Sequence, residues 1–187
     1  MLKRAYDIQL TINKLLQLSL EDIALDALLK HTLELILSLQ WLAFESRGCI
    51  FLVEDEPDVL TMKVQKGLST PLLKECARIP FGKCLCGQAA LLKAVQFADT
   101  LDGRHETSYE GIAPHGHYCV PILAGGTTLG VINLYLKERH RRDPREEDFL
   151  AAIANTLAGI LIRRRITDRL IEGKKRYQRL LESASGY

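Results

Sequence analysis

Two apolar runs, His117 to Leu123 and Thr128 to Leu136, flank Ala124-Gly125-Gly126. Strand-forming runs separated by small residues that accept positive φ are a strong local signal for a β-hairpin. A second such pair, Arg47 to Glu54 and Val59 to Lys66, surrounds the turn formers Asp55-Glu56-Pro57-Asp58. The chain is therefore expected to build an antiparallel sheet from these two hairpins.

Helices account for most of the remainder. Apolar residues recur at three and four over Ala5 to Leu18 (Ile8, Ile12, Leu15, Leu16) and over Leu20 to Leu42 (Ile23, Leu28, Leu29, Leu33, Ile36), with Ser19-Leu20-Glu21-Asp22 read as a start signal. Ser69 and Pro71 predict a short helix ending near Ala77, and Gln88 to Ala94 predicts another, followed by a strand Val95 to Ala98. Thr100 to Pro114 has no periodicity and reads as a long loop, closed at its start by Asp99; loops of that length within a domain are usually functional or disordered. A last helix begins near Asp143 and extends to Ser183, with Glu146, Glu147 and Asp148 favourable to its dipole. Its seam of Ile153, Leu157 and Ile160 is interrupted by Arg163-Arg164-Arg165 and resumes in a shifted frame at Ile166, Leu170, Tyr177 and Leu180. That pattern fits either a coiled coil with a frame shift or a solvated basic helix end. The order of elements defines an α+β fold, an antiparallel sheet flanked by helices.

Composition removes several function classes. A net charge of +2, with basic residues dispersed until the C-terminal run, gives no case for nucleic acid. No apolar run is long enough for a membrane span, and MLKRAYDIQL lacks the core of a signal peptide, so a cytoplasmic chain is expected. In a reducing compartment clustered cysteines become metal ligands or reactive thiols. Three of the five lie within Phe81 to Pro121, as do three of the five histidines: Cys84, Cys86 and Cys119 with His105, His115 and His117. Period-two geometry puts His115, His117 and Cys119 on one strand face. Cys84 and Cys86 suit a shared metal, and Cys86 stands at a predicted helix start, where the dipole favours thiolate. This donor set suits zinc or iron rather than magnesium or calcium. The candidate metal ligands are Cys84, Cys86, His115, His117 and Cys119, with cofactor contact assigned to Cys84, Cys86, His117 and Cys119; His105, between Arg104 and Glu106, is read first as a solvated loop residue. Cys49 and Cys76 stand apart in the sequence, outside the cluster.

The motif Val120-Pro121-Ile122, Gly125-Gly126, Leu129-Gly130-Val131-Ile132-Asn133-Leu134, followed by Phe149 and LAAIANTLAGILI, resembles the second half of a GAF domain. Gly82 and Gly87, then Ala89-Ala90 and a strand ending at Asp99, resemble the same family. The resemblance spans roughly Glu21 to Arg164 and implies a bacterial sensory module, a homodimer through its terminal helices, placed before an output such as a two-component partner. It divides the chain into an N-terminal dimerisation helix (1–19), a GAF-like sensor domain (20–164) and a signalling helix (165–187). The tail from Arg176 to Gly186 resembles the opening of a PAS domain.

GAF domains take many ligands or none, so function rests on the site. The expected function is sensing of a small molecule, gas or redox state through the Cys/His site, with any catalytic output elsewhere. One alternative resemblance is to free methionine-(R)-sulfoxide reductase, a thiol enzyme on this fold, to one of whose positions Cys86-Gly87 is similar. That enzyme's other cysteine lies in the loop before the strand, where this chain has His105 to His117 and no cysteine. A ligand-free dimerisation module is the other alternative.

Overall fold

A computed structural model describes residues 2–39, 41, 42, 44–107 and 111–184. In chain order the elements are α1 (Leu2–Leu20), α2 (Leu25–Leu37), β1 (Phe44–Val53), β2 (Val59–Lys66), α3 (Thr70–Glu75), β3 (Arg78–Pro80), α4 (Cys84–Leu92), β4 (Gln96–Ala98), β5 (His115–Ala124), β6 (Thr127–Lys137) and α5 (Pro144–Ala184). The strands form one antiparallel sheet in the order β3-β2-β1-β6-β5-β4. Both expected hairpins are present, and β1 pairs with β6 to join them at the centre. Gly125 and Gly126 make the β5–β6 turn with φ of 53° and 76°, a conformation that favours glycine.

The central strands are buried on both faces, and side chains sort by parity over 49–52, 118–122 and 131–136. Ile50, Leu52, Tyr118, Val120, Ile122, Ile132 and Leu134 face α1, α2 and α5, packing against Leu15, Leu28, Leu33, Phe149, Ile153 and Leu157. Cys49, Phe51, Cys119 and Val131 face the other way, against Leu60, Ile79 and the α4 residues Leu85, Cys86, Ala89 and Ala90. The second layer is thinner and carries the cysteines.

Several boundaries differ from the sequence expectation. α1 runs through Ser19 to Leu20. The Ser19 hydroxyl donates to the Leu16 carbonyl within that helix, so it does not start α2, which begins at Leu25 after Ala24. α2 ends at Leu37; Gln40, within the expected helix, lies outside the described residues. α4 begins at Cys84, four residues before Gln88, because its first turn is held from outside the helix. Cys84 N–H donates to Glu106 Oε1 at 3.0 Å, Gly87 N–H to the Lys83 carbonyl at 2.9 Å, and Gly82 N–H to the Gly87 carbonyl at 2.8 Å. Cys84 itself has φ 55°, an uncommon conformation for a non-glycine residue. The short β3 was not anticipated: Arg78, Ile79 and Pro80 extend the sheet by pairing with Thr61, Leu60 and Val59. β5 begins two residues early, at His115. A Cβ on Gly116 would sit 2.5 Å from the Ala98 carbonyl oxygen, so only glycine lets the end of β4 lie this close.

The long C-terminal helix is present as α5, 41 residues and about 60 Å at 1.5 Å per residue. Phe149 to Leu161 pack on the sheet, whereas Ile166, Leu170, Tyr177 and Leu180 are exposed. Between the two portions, the arginine run is not simply solvated. Arg163 donates to the Ser19 carbonyl, Arg164 to the Ile23 carbonyl at 2.8 Å and Arg165 to the Val53 carbonyl at 2.8 Å. Part of the tail likened to a PAS domain, Ser185 and Gly186, lies outside the described residues.

Candidate functional site

The site forms where the thinner layer meets the loop after β4. His115 and His117 share one face of β5, and their ring centroids are 4.7 Å apart. The loop brings His105 onto them, 5.2 Å from His115 and 5.1 Å from His117. Tyr135, the cross-strand partner of His117 on β6, closes one side at 4.9 Å from the His115 ring and 4.5 Å from the His117 ring. The ligand atoms of His105, His115 and His117 all lie within 4.8 Å of one another. Among the described residues this is the one group of three or more His, Cys, Asp or Glu side chains gathered so closely.

Each β5 histidine is oriented by an acceptor behind it. His115 Nδ1 lies 2.6 Å from the Ala113 carbonyl, and His117 Nδ1 lies 2.9 Å from Asn133 Oδ1. Both acceptors are oxygens, so both Nδ1 atoms must carry the hydrogen and both Nε2 atoms the lone pair. Among the described residues, those two Nε2 atoms are buried without a hydrogen-bond partner. An unpaired buried acceptor costs about 1–3 kcal/mol, so two on neighbouring rings mark the cluster as a place for an electrophile. Burial also keeps the rings neutral. His117 is pushed down to about 3 by burial, then by the nearby His115, and burial lowers His105 and His115 as well. Neutral imidazole is the form that ligates metals.

Successive loop residues fix His105 in place. Arg104 pairs with Asp102, whose carboxyl it holds below the usual range, and donates to the Phe97 carbonyl at 2.9 Å. Glu106 accepts from the start of α4, and Thr107 approaches Cys76 Sγ at 3.7 Å. Residues 108–110 of the expected loop lie outside the described residues.

The cysteines sit beneath the imidazoles. Cys86 Sγ and Cys119 Sγ are 3.6 Å apart, the first from α4 and the second from the middle of β5. Cys119 Sγ also lies 3.5 Å from Asn133 Oδ1, while Asn133 Nδ2 points at Cys49 Sγ, 3.7 Å away. The five thiols are free, and all five line one cavity of about 20 Å³ that His105 and His117 also border. That volume is about one water molecule, far below the ~300–1,000 Å³ of an ordinary small-molecule pocket. Burial raises the thiols of Cys49, Cys84 and Cys119, and takes Cys76 to about 11. The sulfurs of Cys84, Cys86 and Cys119 do not join the close group of three imidazoles.

Sequence reasoning found His115, His117, Cys86 and Cys119 as neighbours but missed three members of the assembly. Cys49 lies one pairing away from the cluster, opposite Asn133 in the β1–β6 register. Cys76 follows α3 and reaches the cavity only because β3 folds back along β2. Asn133 carried a signal that was available, a lone polar residue inside the apolar run Leu129 to Leu136.

Sheet order and helix placement together describe an antiparallel sheet with helices packed on it and a Cys/His cluster in its thinner layer. The GAF domain model matches residues 22–161, and the chain belongs to the GAF domain family. Among solved structures it is similar to the GAF domain of a phosphoenolpyruvate-protein phosphotransferase from Coxiella burnetii, at TM-score 0.73 and 20% identity over 88% of this chain and 98% of that one. The GAF domain of A. aeolicus nlh2 in an inactive state gives TM-score 0.68 and 16% identity over 86% and 98%. A free methionine-R-sulfoxide reductase from Neisseria meningitidis in complex with its substrate gives 0.66 and 18% over 82% and 87%. At these identities the likeness is one of fold. No characterised relative matches the sequence significantly. Among the described residues, no helix is long and apolar enough to cross a membrane.

Proposed function

We propose that the chain is a sensory GAF module in which His105, His115 and His117 hold a divalent transition metal, zinc or iron, and in which the state of that centre is passed to an output domain through α5. The observation that carries this reading is the pair of buried Nε2 atoms of His115 and His117, unpartnered among the described residues, in a group of three imidazoles whose ligand atoms lie within 4.8 Å of one another. Imidazole donors in a site without carboxylates favour borderline metals over magnesium or calcium. Three protein ligands leave a coordination position for an exogenous ligand, the pattern of open rather than closed sites. A homodimer through α1 and α5 belongs to the same reading, supported by the exposed apolar residues Tyr6, Leu10, Ile166, Leu170 and Tyr177. The decisive measurement is metal content after anaerobic purification, followed by zinc and iron titration of stripped protein. One equivalent bound, and lost in His117→Ala, is expected. Protein that arrives without metal and takes up neither ion would sink the reading.

A second reading, thiol redox catalysis of the methionine sulfoxide reductase kind, draws on the 3.6 Å approach of Cys86 and Cys119. Against it stands the upward shift of Cys119 by burial, since the thiolate is the nucleophile. Thiol-dependent reduction of free methionine sulfoxide is expected to stay at background; turnover that Cys86→Ser abolishes would establish the enzyme instead.

A further inference from the structure

Asn133 sits at the junction of the imidazoles and the thiols. Its Oδ1 receives His117 Nδ1–H at 2.9 Å and faces Cys119 Sγ at 3.5 Å, while its Nδ2 is directed at Cys49 Sγ, 3.7 Å away. The residue is 4% exposed, so its amide is shielded from bulk solvent. The amide has two orientations, and only this one gives the oxygen to two donors and the nitrogen to a sulfur acceptor. Rotated by a half-turn, Nδ2 would meet His117 Nδ1 and force the hydrogen onto Nε2, which has no acceptor among the described residues. Backbone pairing fixes the rest: Asn133 lies opposite Cys119 on β5 and opposite Cys49 on β1, so the two thiols flank it from both neighbouring strands.

We propose that Asn133 is the positioning residue of the metal centre, holding His117 as the Nδ1–H tautomer with its Nε2 lone pair free, and that the cysteines Cys49 and Cys119 form the layer that aligns Asn133 rather than ligating the metal. The inference rests on the metal reading above and adds to it which side chains are ligands and which stand behind them. It accounts for thiols that gather next to the imidazoles without joining their close group of ligand atoms. Hydrogen-bond partners behind ligating histidines fix ring orientation and raise ligand basicity, and their removal weakens metal binding by about 10- to 100-fold.

Three measurements on the whole chain test this. Long-range ¹H–¹⁵N correlation on the metal-free protein reads the His117 tautomer, and protonated Nδ1 is expected, although free neutral histidine favours hydrogen on Nε2. Zinc affinity by chelator competition should fall about 10- to 100-fold in Asn133→Leu and be retained or increased in Asn133→Asp, which keeps the acceptor. The tautomer in wild-type protein keeps the question decidable if either variant fails to fold. Cobalt-loaded protein should lack sulfur-to-cobalt charge-transfer absorption, and its d–d bands should persist in Cys86→Ser. An Nε2–H tautomer, unchanged zinc affinity in folded Asn133→Leu, or strong charge transfer that vanishes in Cys119→Ser would each overturn the inference while leaving a metal centre standing. Failure of both zinc and cobalt to bind would overturn the inference together with the metal reading, a result distinct from all three.

Discussion

His105 lies nearly flat on His117, with ring planes 23° apart and centroids 5.1 Å apart, although the two are twelve positions apart in the sequence. The stack places one loop residue over a strand residue that is 3% exposed, so the loop covers the site and also supplies part of it. A metal bound there ties loop to sheet, and its binding energy acts as folding energy for the loop. Chelation should therefore raise hydrogen exchange and protease cleavage across Asp102 to Thr107, lower the Tm, and leave far-ultraviolet circular dichroism nearly unchanged. Equal loop protection with and without metal would contradict this.

The buried imidazoles give the metal-free protein a definite pH dependence. His117 titrates at about 3 in the folded chain and at about 6.5 when unfolded. Between those values the unfolded chain binds more protons, so stability rises with pH across the window and is lost as pH falls from 6.5 toward 3. The slope from this residue is at most about 1.4 kcal/mol per pH unit. His105 and His115 are shifted in the same direction and add to it. Urea unfolding of chelated protein from pH 7 to 4 should show the loss, and folded His117→Gln should show a shallower one.

Assembly should depend on the exposed portion of α5. Ile166, Leu170 and Tyr177 are all more than half exposed, and their spacings of four and seven keep them along one stripe of the helix. Light scattering at micromolar concentration should give a dimer mass, and Leu170→Glu with Tyr177→Glu should reduce it to the monomer while leaving the sheet folded. A wild-type monomer mass would refute the dimer.

The arginine contacts predict a stability effect at the domain exit. A hydrogen bond from a charged donor contributes about 1.5–3 kcal/mol when removed from a buried acceptor and less where water replaces it. Arg164→Ala, which frees the half-buried carbonyl of Ile23, should cost about 1–2 kcal/mol in urea unfolding and raise exchange in residues 21–24. Arg169→Ala, one turn further along the exposed portion, should cost less than about 0.5 kcal/mol.

The architecture was readable where burial leaves a period in the sequence. The β5–β6 hairpin, the β1–β2 hairpin and α5 declared themselves through apolar spacing and Gly or Pro turns, and the family motif lay in the same segments. The site was half readable. His117 and Cys119 are two apart on a strand, so their shared face follows from the pleat, whereas His105 reaches them through a loop whose path is set by Arg104, Glu106 and Thr107 docking on three different elements. The start of α4 was hidden for the same reason, since its N-terminal partner Glu106 comes twenty-two residues later. Cys49 and Cys76 could be placed only once strand register was known.

Arg163, Arg164 and Arg165 are consecutive on a helix, so their side chains leave it about 100° apart and together embrace more than half its circumference. Each holds a different anchor: the end of α1, the α1–α2 connection and the end of β1. Such an arrangement is a torsional stop. Turning α5 about its own axis in either sense would lengthen at least one of these hydrogen bonds, so rotation of the exposed half is opposed at three separate points of the domain. The angular setting of everything beyond residue 165 is thus referred to the domain body, one anchor being the very strand that carries Cys49 beneath the imidazoles.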